Sequence, residues 1–237
     1  VTDDTDWSTL EHAFGRADDI PPMLEKLATD PDADTWSELW GSIYHQGSTY
    51  TASVAALPHL ARIAERRPDA ALDAVVLAGR ISAAEWPDVE DEHPRALESL
   101  RATATAQLAA EGPDDDFAVA LQALLGLGRA PEWGEDAFDG VIGGGCCVAC
   151  PSCEVDLDVR FPSSTGTGWT GVDTVPEPAT EFEGVAAWLH GEAVRAGRPG
   201  VAATLAELFG TIACDECGER FALAAALTGL EGDEEED

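Results

Sequence analysis

Two Cys-x-x-Cys pairs, Cys150-Pro-Ser-Cys153 and Cys214-Asp-Glu-Cys217, constrain this chain more than any other feature. Each pair sets two sulfurs on one turn, where backbone amides can donate to them. Two such turns supply the four soft ligands of a tetrahedral zinc. Gly218 follows the second pair and lets the chain turn tightly; Pro151 pre-sets the first turn, but Glu154 stands where its glycine would be. Four sulfurs leave no open coordination position, so the expected metal is structural and not hydrolytic. The 60 residues between the pairs are too many for a simple ribbon, so tertiary packing of intervening helices must close the site.

Cys146 and Cys147 are surplus to this set. Cys147-x-x-Cys150 also has ligand spacing, but the preferred reading is two extra small buried residues. Six cysteines in 237 residues are too sparse for a disulfide scaffold, and no strand-to-helix motif of thioredoxin type surrounds either pair.

The chain has 45% apolar residues and seven tryptophans, enough for a folded core. Its 13 Lys+Arg stand against 46 Asp+Glu, a net charge of −33, with Lys26 the single lysine. Such a surface repels nucleic acid and anionic lipid and attracts a basic protein. The competing account is compositional: acidic, alanine-rich chains are often acidic for solubility alone. The N-terminus VTDDTDWSTL lacks a basic leader and no apolar run spans a bilayer, so the expectation is a cytoplasmic protein.

Apolar residues recur at helical spacing over residues 6–128. Trp7, Leu10 and Phe14 predict a first helix ended by Gly15. Further stripes follow at Ile20, Leu24 and Leu27; at Trp36, Leu39, Trp40 and Ile43; at Val54, Leu57, Leu60 and Ile63; and onward to Leu125. No strand pattern is evident before residue 150. Pro22, Pro58 and Pro94 recur at 36 residues, each placed in the first turn of a helix, and Leu24/Leu60 and Leu27/Ile63 match in the same register. That period predicts a two-helix solenoid, with an irregular helical bundle as the alternative.

After the glycine-rich joint Gly140–Gly145, Glu154 to Phe161 alternates polar and apolar and reads as a half-buried strand. Residues 162–180 read as a loop, and helices are expected around Val185–Leu189 and Val201–Phe209. The expected organisation is mainly α: a HEAT-like helical solenoid or bundle over 1–140, a small α/β zinc-knuckle module over 141–230 with an inserted helical hairpin, and a disordered acidic tail over 231–237.

Other chemistry-bearing residues have ordinary structural explanations. In Tyr44-His-Gln-Gly-Ser-Thr-Tyr50, a groove lined by His45, Gln46 and Tyr50 competes with the preferred reading, in which Gly47 ends one helix and Ser48 or Thr49 caps the next. His190 is taken as a packed or surface side chain. Glu90-Asp91-Glu92 resembles a carboxylate site only superficially, and Asp114 to Asp116 cap the helix beginning at Phe117. Gly143-Gly144-Gly145 lacks the lysine of a phosphate loop, and there is no G-x-S-x-G.

The segment Tyr44 to Tyr50 followed by Ala55-Ala-Leu-Pro58, with Trp188-Leu-His190, Leu208-Phe-Gly210 and Cys214-Asp-Glu-Cys217-Gly218, resembles uncharacterised HEAT-like bacterial proteins with a C-terminal cysteine-pair module. The resemblance implies a helical scaffold with Cys150, Cys153, Cys214 and Cys217 as ligands. By analogy with HEAT-like proteins that neighbour toxins, it also points to immunity. The expected function is therefore non-enzymatic: a zinc-containing, acidic protein-binding scaffold, with an immunity protein against a cationic toxin as its sharpest version. The alternative is a thiol-based redox or metal sensor in which Cys146 and Cys147 exchange with the zinc thiolates.

Overall fold

The computed structural model describes residues 5–85, 88–133, 138–164 and 174–229. Among these are eleven α-helices and four two-stranded antiparallel hairpins. The chain divides into two compact units, Val1–Ala110 with Val119–Glu135, and Glu111–Ala118 with Asp136–Asp237. The acidic tail 231–237 and residues 165–173 of the expected loop lie outside the described residues. No described helix is long and apolar enough to cross a membrane.

The expected first helix over Trp7, Leu10 and Phe14 does not form among the described residues. A 3-10 turn, Trp7–Thr9, leads into a hairpin of β1 (Glu11–His12) and β2 (Gly15–Arg16), and Phe14 stays 71% exposed with its ring edge-on to His45. The helical stripe of Trp7, Leu10 and Phe14 is overturned here because Asp6 caps the 3-10 turn and Gly15 takes φ 132°, a turn conformation.

Helices α1 (Ile20–Thr29) and α2 (Ala33–Ile43) follow. Asp32 caps α2, accepting from the Thr35 amide at 3.0 Å, and pairs with Lys26 of α1 at 2.8 Å. The Lys26 hydrogen bond, then those from the Thr35 amide and hydroxyl, hold the Asp32 carboxyl down at about 2.

Between α2 and the next helix stands a second hairpin, β3 (Tyr44–His45) with β4 (Ser48–Thr49). Gln46 (φ 51°) and Gly47 (φ 78°) form its two-residue turn, both in the left-handed region that such a tight hairpin requires. Gly47 therefore does not end a helix and Ser48 caps nothing. His45 Nδ1 lies 3.1 Å from the Gly41 carbonyl, and Gln46 is exposed at the turn.

Ser53 starts α3 (Thr51–Arg66) instead: its Oγ accepts from the Tyr50 amide at 2.7 Å and donates to the Ile43 carbonyl at 2.5 Å. Pro58 consequently falls in the middle of α3, whereas Pro22 and Pro94 do stand in first turns. The remaining helices of this unit are α4 (Ala71–Ala84), α5 (Asp88–Glu92), α6 (Pro94–Gln107) and the second half of α7 (Asp114–Leu124), which runs into a π-type turn, Leu125–Arg129. Helix α3 packs against α1, α4 and α6, and α4 packs against α6 and the π-turn. Leu24, Leu27, Leu60, Ile63, Leu97 and Leu100 are all buried between them. Two glycines bring α4 and the π-turn into backbone contact: a Cβ on Gly126 would lie 2.2 Å from the Gly79 carbonyl oxygen, so no side chain fits.

In the second unit, the glycine-rich joint Gly140–Gly145 contains a short helix, α8 (Asp139–Gly143), stopped by Gly144 at φ 89°. Strand β5 (Gly145–Ala149) pairs antiparallel with β6 (Asp156–Arg160). The alternation seen in the sequence is realised, since Leu157, Val159 and Phe161 are buried while Asp156, Asp158 and Arg160 are exposed. Helices α9 (Gly184–Arg195) and α10 (Pro199–Leu208) form a packed hairpin, followed by β7 (Thr211–Ala213), β8 (Arg220–Ala222) and α11 (Leu223–Thr228). Glu207 of α10 is buried and accepts from the Ser163 amide at 3.2 Å and its hydroxyl at 2.7 Å, which ties the end of the β6 segment to the helical hairpin. Asp114 to Asp116 form the first turn of α7 and do not precede it, and Asp114 pairs with Arg198 at 3.0 Å.

Candidate metal centre

Each cysteine pair is the tip of a hairpin, and the two tips have the same hydrogen-bond pattern. At the β5–β6 tip the Cys150 amide donates to the Val155 carbonyl (2.9 Å) and the Glu154 amide returns to the Cys150 carbonyl (2.9 Å). At the β7–β8 tip the Cys214 amide donates to the Glu219 carbonyl (2.8 Å) and the Gly218 amide returns to the Cys214 carbonyl (2.8 Å). This closure forces the fifth residue into the left-handed region, where Gly218 has φ 78° and Glu154 has φ 60°. The missing glycine thus changes the cost of the first turn without changing its shape.

The four sulfurs converge. Cys150 Sγ lies 3.7 Å from Cys217 Sγ, Cys153 Sγ lies 3.6 Å from Cys214 Sγ, and all four atoms fall within 4.8 Å of one another. Both close pairs join one tip to the other. A tetrahedral ion with metal–sulfur bonds of about 2.3 Å separates its sulfurs by about 3.8 Å, so the cluster has the size of an S4 metal site. Cys150 and Cys214, the first of each pair, are buried; Cys153 and Cys217 are exposed.

The electrostatics fit the same purpose. Burial opposes ionisation of Cys150, but the amides of Cys153 and Ser152 and the neighbouring thiols outweigh it and hold that thiol down at about 7. For Cys153 the Val155 amide favours the thiolate, yet desolvation and the adjacent thiols prevail and push it up to about 12. Four crowded thiols in the metal-free chain release a first proton easily and resist releasing the next. A divalent cation reverses that resistance by supplying the missing positive charge.

Cys146 and Cys147 point to opposite faces of β5 and are outside this cluster. Burial pushes Cys146 up to about 12. Cys147 is exposed, contrary to the expectation of two buried residues, because its place on β5 faces outward; its thiol donates to Asp158 Oδ1 at 3.1 Å, a bond that raises its pKa. His190 stacks on Phe182 at 4.1 Å and takes no part in the cluster. Sequence reasoning missed Glu207, whose signal is weak: a lone acid on an otherwise apolar helical face.

Comparison with known proteins gives no match: no family model, no curated protein and no solved structure is similar to this chain.

Proposed function

We propose that the chain is a non-enzymatic protein-binding scaffold whose second unit is held together by one structural zinc on Cys150, Cys153, Cys214 and Cys217. The observation that carries this reading is the convergence of four sulfurs from two equivalent hairpin tips, with sulfur separations near those of a zinc tetrahedron. Zinc is favoured because a four-thiolate tetrahedral set suits a borderline-soft, redox-inert cation. When bound, the ion supplies cross-linking of the two tips; the amides of Ser152, Cys153, Val155 and Glu219 stabilise the thiolates that hold it.

The HEAT-like arrangement belongs to this proposal. Support comes from the packing of α3 against both α1 and α6, and of α4 against α3 and α6. The net charge of −33 makes a basic protein the natural partner of the acidic faces, a cationic toxin being the sharpest case, in a reducing cytoplasm that keeps the thiols free. The sensor alternative is weakened because Cys146 and Cys147 lie outside the four-sulfur cluster, while burial of Cys146 and the Asp158 hydrogen bond to Cys147 both disfavour the thiolate.

The test is capture of a partner from the native host, followed by calorimetry of the chain with residues 231–237 deleted. Saturable one-to-one binding of a basic protein that weakens steeply with salt supports the reading. Weak, non-saturating binding to any polycation returns the acidity to composition.

A further inference from the structure

The four sulfurs of the metal centre are also nucleophiles, and their arrangement has a direction. Cys150 faces Cys217 at 3.7 Å and Cys153 faces Cys214 at 3.6 Å, so both contacts run from one hairpin tip to the other. Each contact sets an exposed sulfur, Cys217 or Cys153, against a buried one, Cys150 or Cys214. The two pairs are nested, 67 and 61 positions apart in the chain, like successive rungs of a ladder.

The tips belong to separate two-stranded sheets, β5–β6 and β7–β8. Each is already closed by its own main-chain hydrogen bonds of 2.8 to 2.9 Å, so a bond inside either Cys-x-x-Cys would fasten a turn that needs no fastening. A bond from tip to tip would instead join the two hairpins, as the metal does, and would close a long loop, which constrains the unfolded chain more than a short one.

We propose that oxidation exchanges the metal link for two inter-tip disulfides, Cys150–Cys217 and Cys153–Cys214, which keep the second unit locked when the zinc is lost. The proposal rests on the zinc reading above and adds a regulation of the same site. The oxidant is hydrogen peroxide. The exposed sulfur of a pair attacks the peroxide O–O bond and becomes a sulfenic acid, and the hydroxide released takes a proton to form water. The buried sulfur facing it then attacks the sulfenic sulfur and expels the hydroxyl, which leaves as a second water. Each pair gives two electrons to one peroxide. Two peroxides, four thiolates and four protons thus yield two disulfides and four waters, with release of the divalent ion. Cys146 and Cys147 take no part, since neither belongs to the cluster.

The test exposes the zinc-loaded full chain, and a Cys146→Ser/Cys147→Ser version of it, to a small excess of hydrogen peroxide. A chromophoric chelator reads released zinc, and mass spectrometry of a non-reducing trypsin digest reads the bonds. Trypsin leaves the first cysteine pair in residues 130–160 and the second in residues 196–220, so inter-tip bonds join two peptides that intra-tip bonds leave apart. Both versions should lose their zinc and give joined peptides, with fragmentation assigning Cys150 to Cys217 and Cys153 to Cys214. The oxidised, zinc-free chain should keep its second unit resistant to limited proteolysis, whereas reduced chain stripped by a chelator should lose that resistance. Zinc retained under peroxide, peptides that stay apart, a different pairing, or an oxidised chain as protease-sensitive as the stripped one overturns the proposal. A reduced chain holding no zinc before peroxide is added overturns the metal reading and the exchange together, which separates that failure from a failure of the pairing alone.

Discussion

Glu154 and Gly218 occupy equivalent places in the two cysteine turns, each returning its amide to the carbonyl of the first cysteine at φ 60° and 78°. A side chain in the left-handed region costs roughly 1–2 kcal/mol. The greater freedom of glycine in the unfolded chain gives back roughly 0.5–1 kcal/mol of that difference. Glu154→Gly is therefore expected to stabilise the metal-loaded turn by about 0.5–1 kcal/mol, and Gly218→Ala to destabilise its counterpart by a similar amount. A Cβ on Gly218 meets nothing within 4 Å, so backbone conformation is the only term in that substitution. Glu154 also places a negative charge beside the thiolates, and Glu154→Gln, which removes the charge and keeps the side chain, separates the two effects. The assay is competition for zinc against a chromophoric chelator, because affinity at a closed site includes the folding energy of its turns. A change of about 1 kcal/mol appears as about a fivefold change in Kd. Wild-type affinity in Gly218→Ala, or a Glu154→Gln variant that reproduces the whole gain of Glu154→Gly, would refute the reasoning.

Other expectations follow from single contacts. Gly126→Ala forces a methyl against the Gly79 carbonyl and should cost about 3 kcal/mol or more in denaturant unfolding followed by tryptophan fluorescence, whereas Gly143→Ala, with open space around it, should be near neutral. Pro58→Ala restores a main-chain donor within α3 and should stabilise the chain by roughly 1–2 kcal/mol in the same assay. In the metal-free chain, ultraviolet absorbance should report a thiolate appearing as pH rises through about 7, lost in Cys150→Ser, while Cys146 and Cys153 stay protonated towards about 12. The contribution of Cys150 follows from its depression from 9.0: its ionisation favours the folded metal-free chain above that ordinary value, and the benefit is lost as pH falls through about 7, whereas the raised thiols of Cys146 and Cys153 oppose folding at higher pH.

The cysteine cluster and β6 were legible because their signals are local: ligand spacing in one case, strict alternation in the other. The first two hairpins were not. Strands of two residues carry no periodicity, and the turn signal at Gln46-Gly47 competes with reading the same glycine as a helix stop. Pro58 misled because a proline in a helical stripe ordinarily marks a first turn, and only the Ser53 contacts with Tyr50 and Ile43 place the start of α3 earlier. The closeness of Gly79 and Gly126, 47 positions apart in the chain, is a tertiary fact with no local trace. Cys147 was expected inside and lies outside, because neighbouring residues on a strand face opposite ways and Cys146 takes the inner place.

The central claim is the metal centre, and X-ray absorption at the zinc edge, with elemental analysis of the chain purified under reducing conditions, tests it most directly. The account predicts about one zinc per chain, surrounded by four sulfur scatterers at about 2.3 Å and no nitrogen or oxygen ligand. Reduced protein that binds no zinc, or zinc held by fewer than four sulfurs, would contradict it.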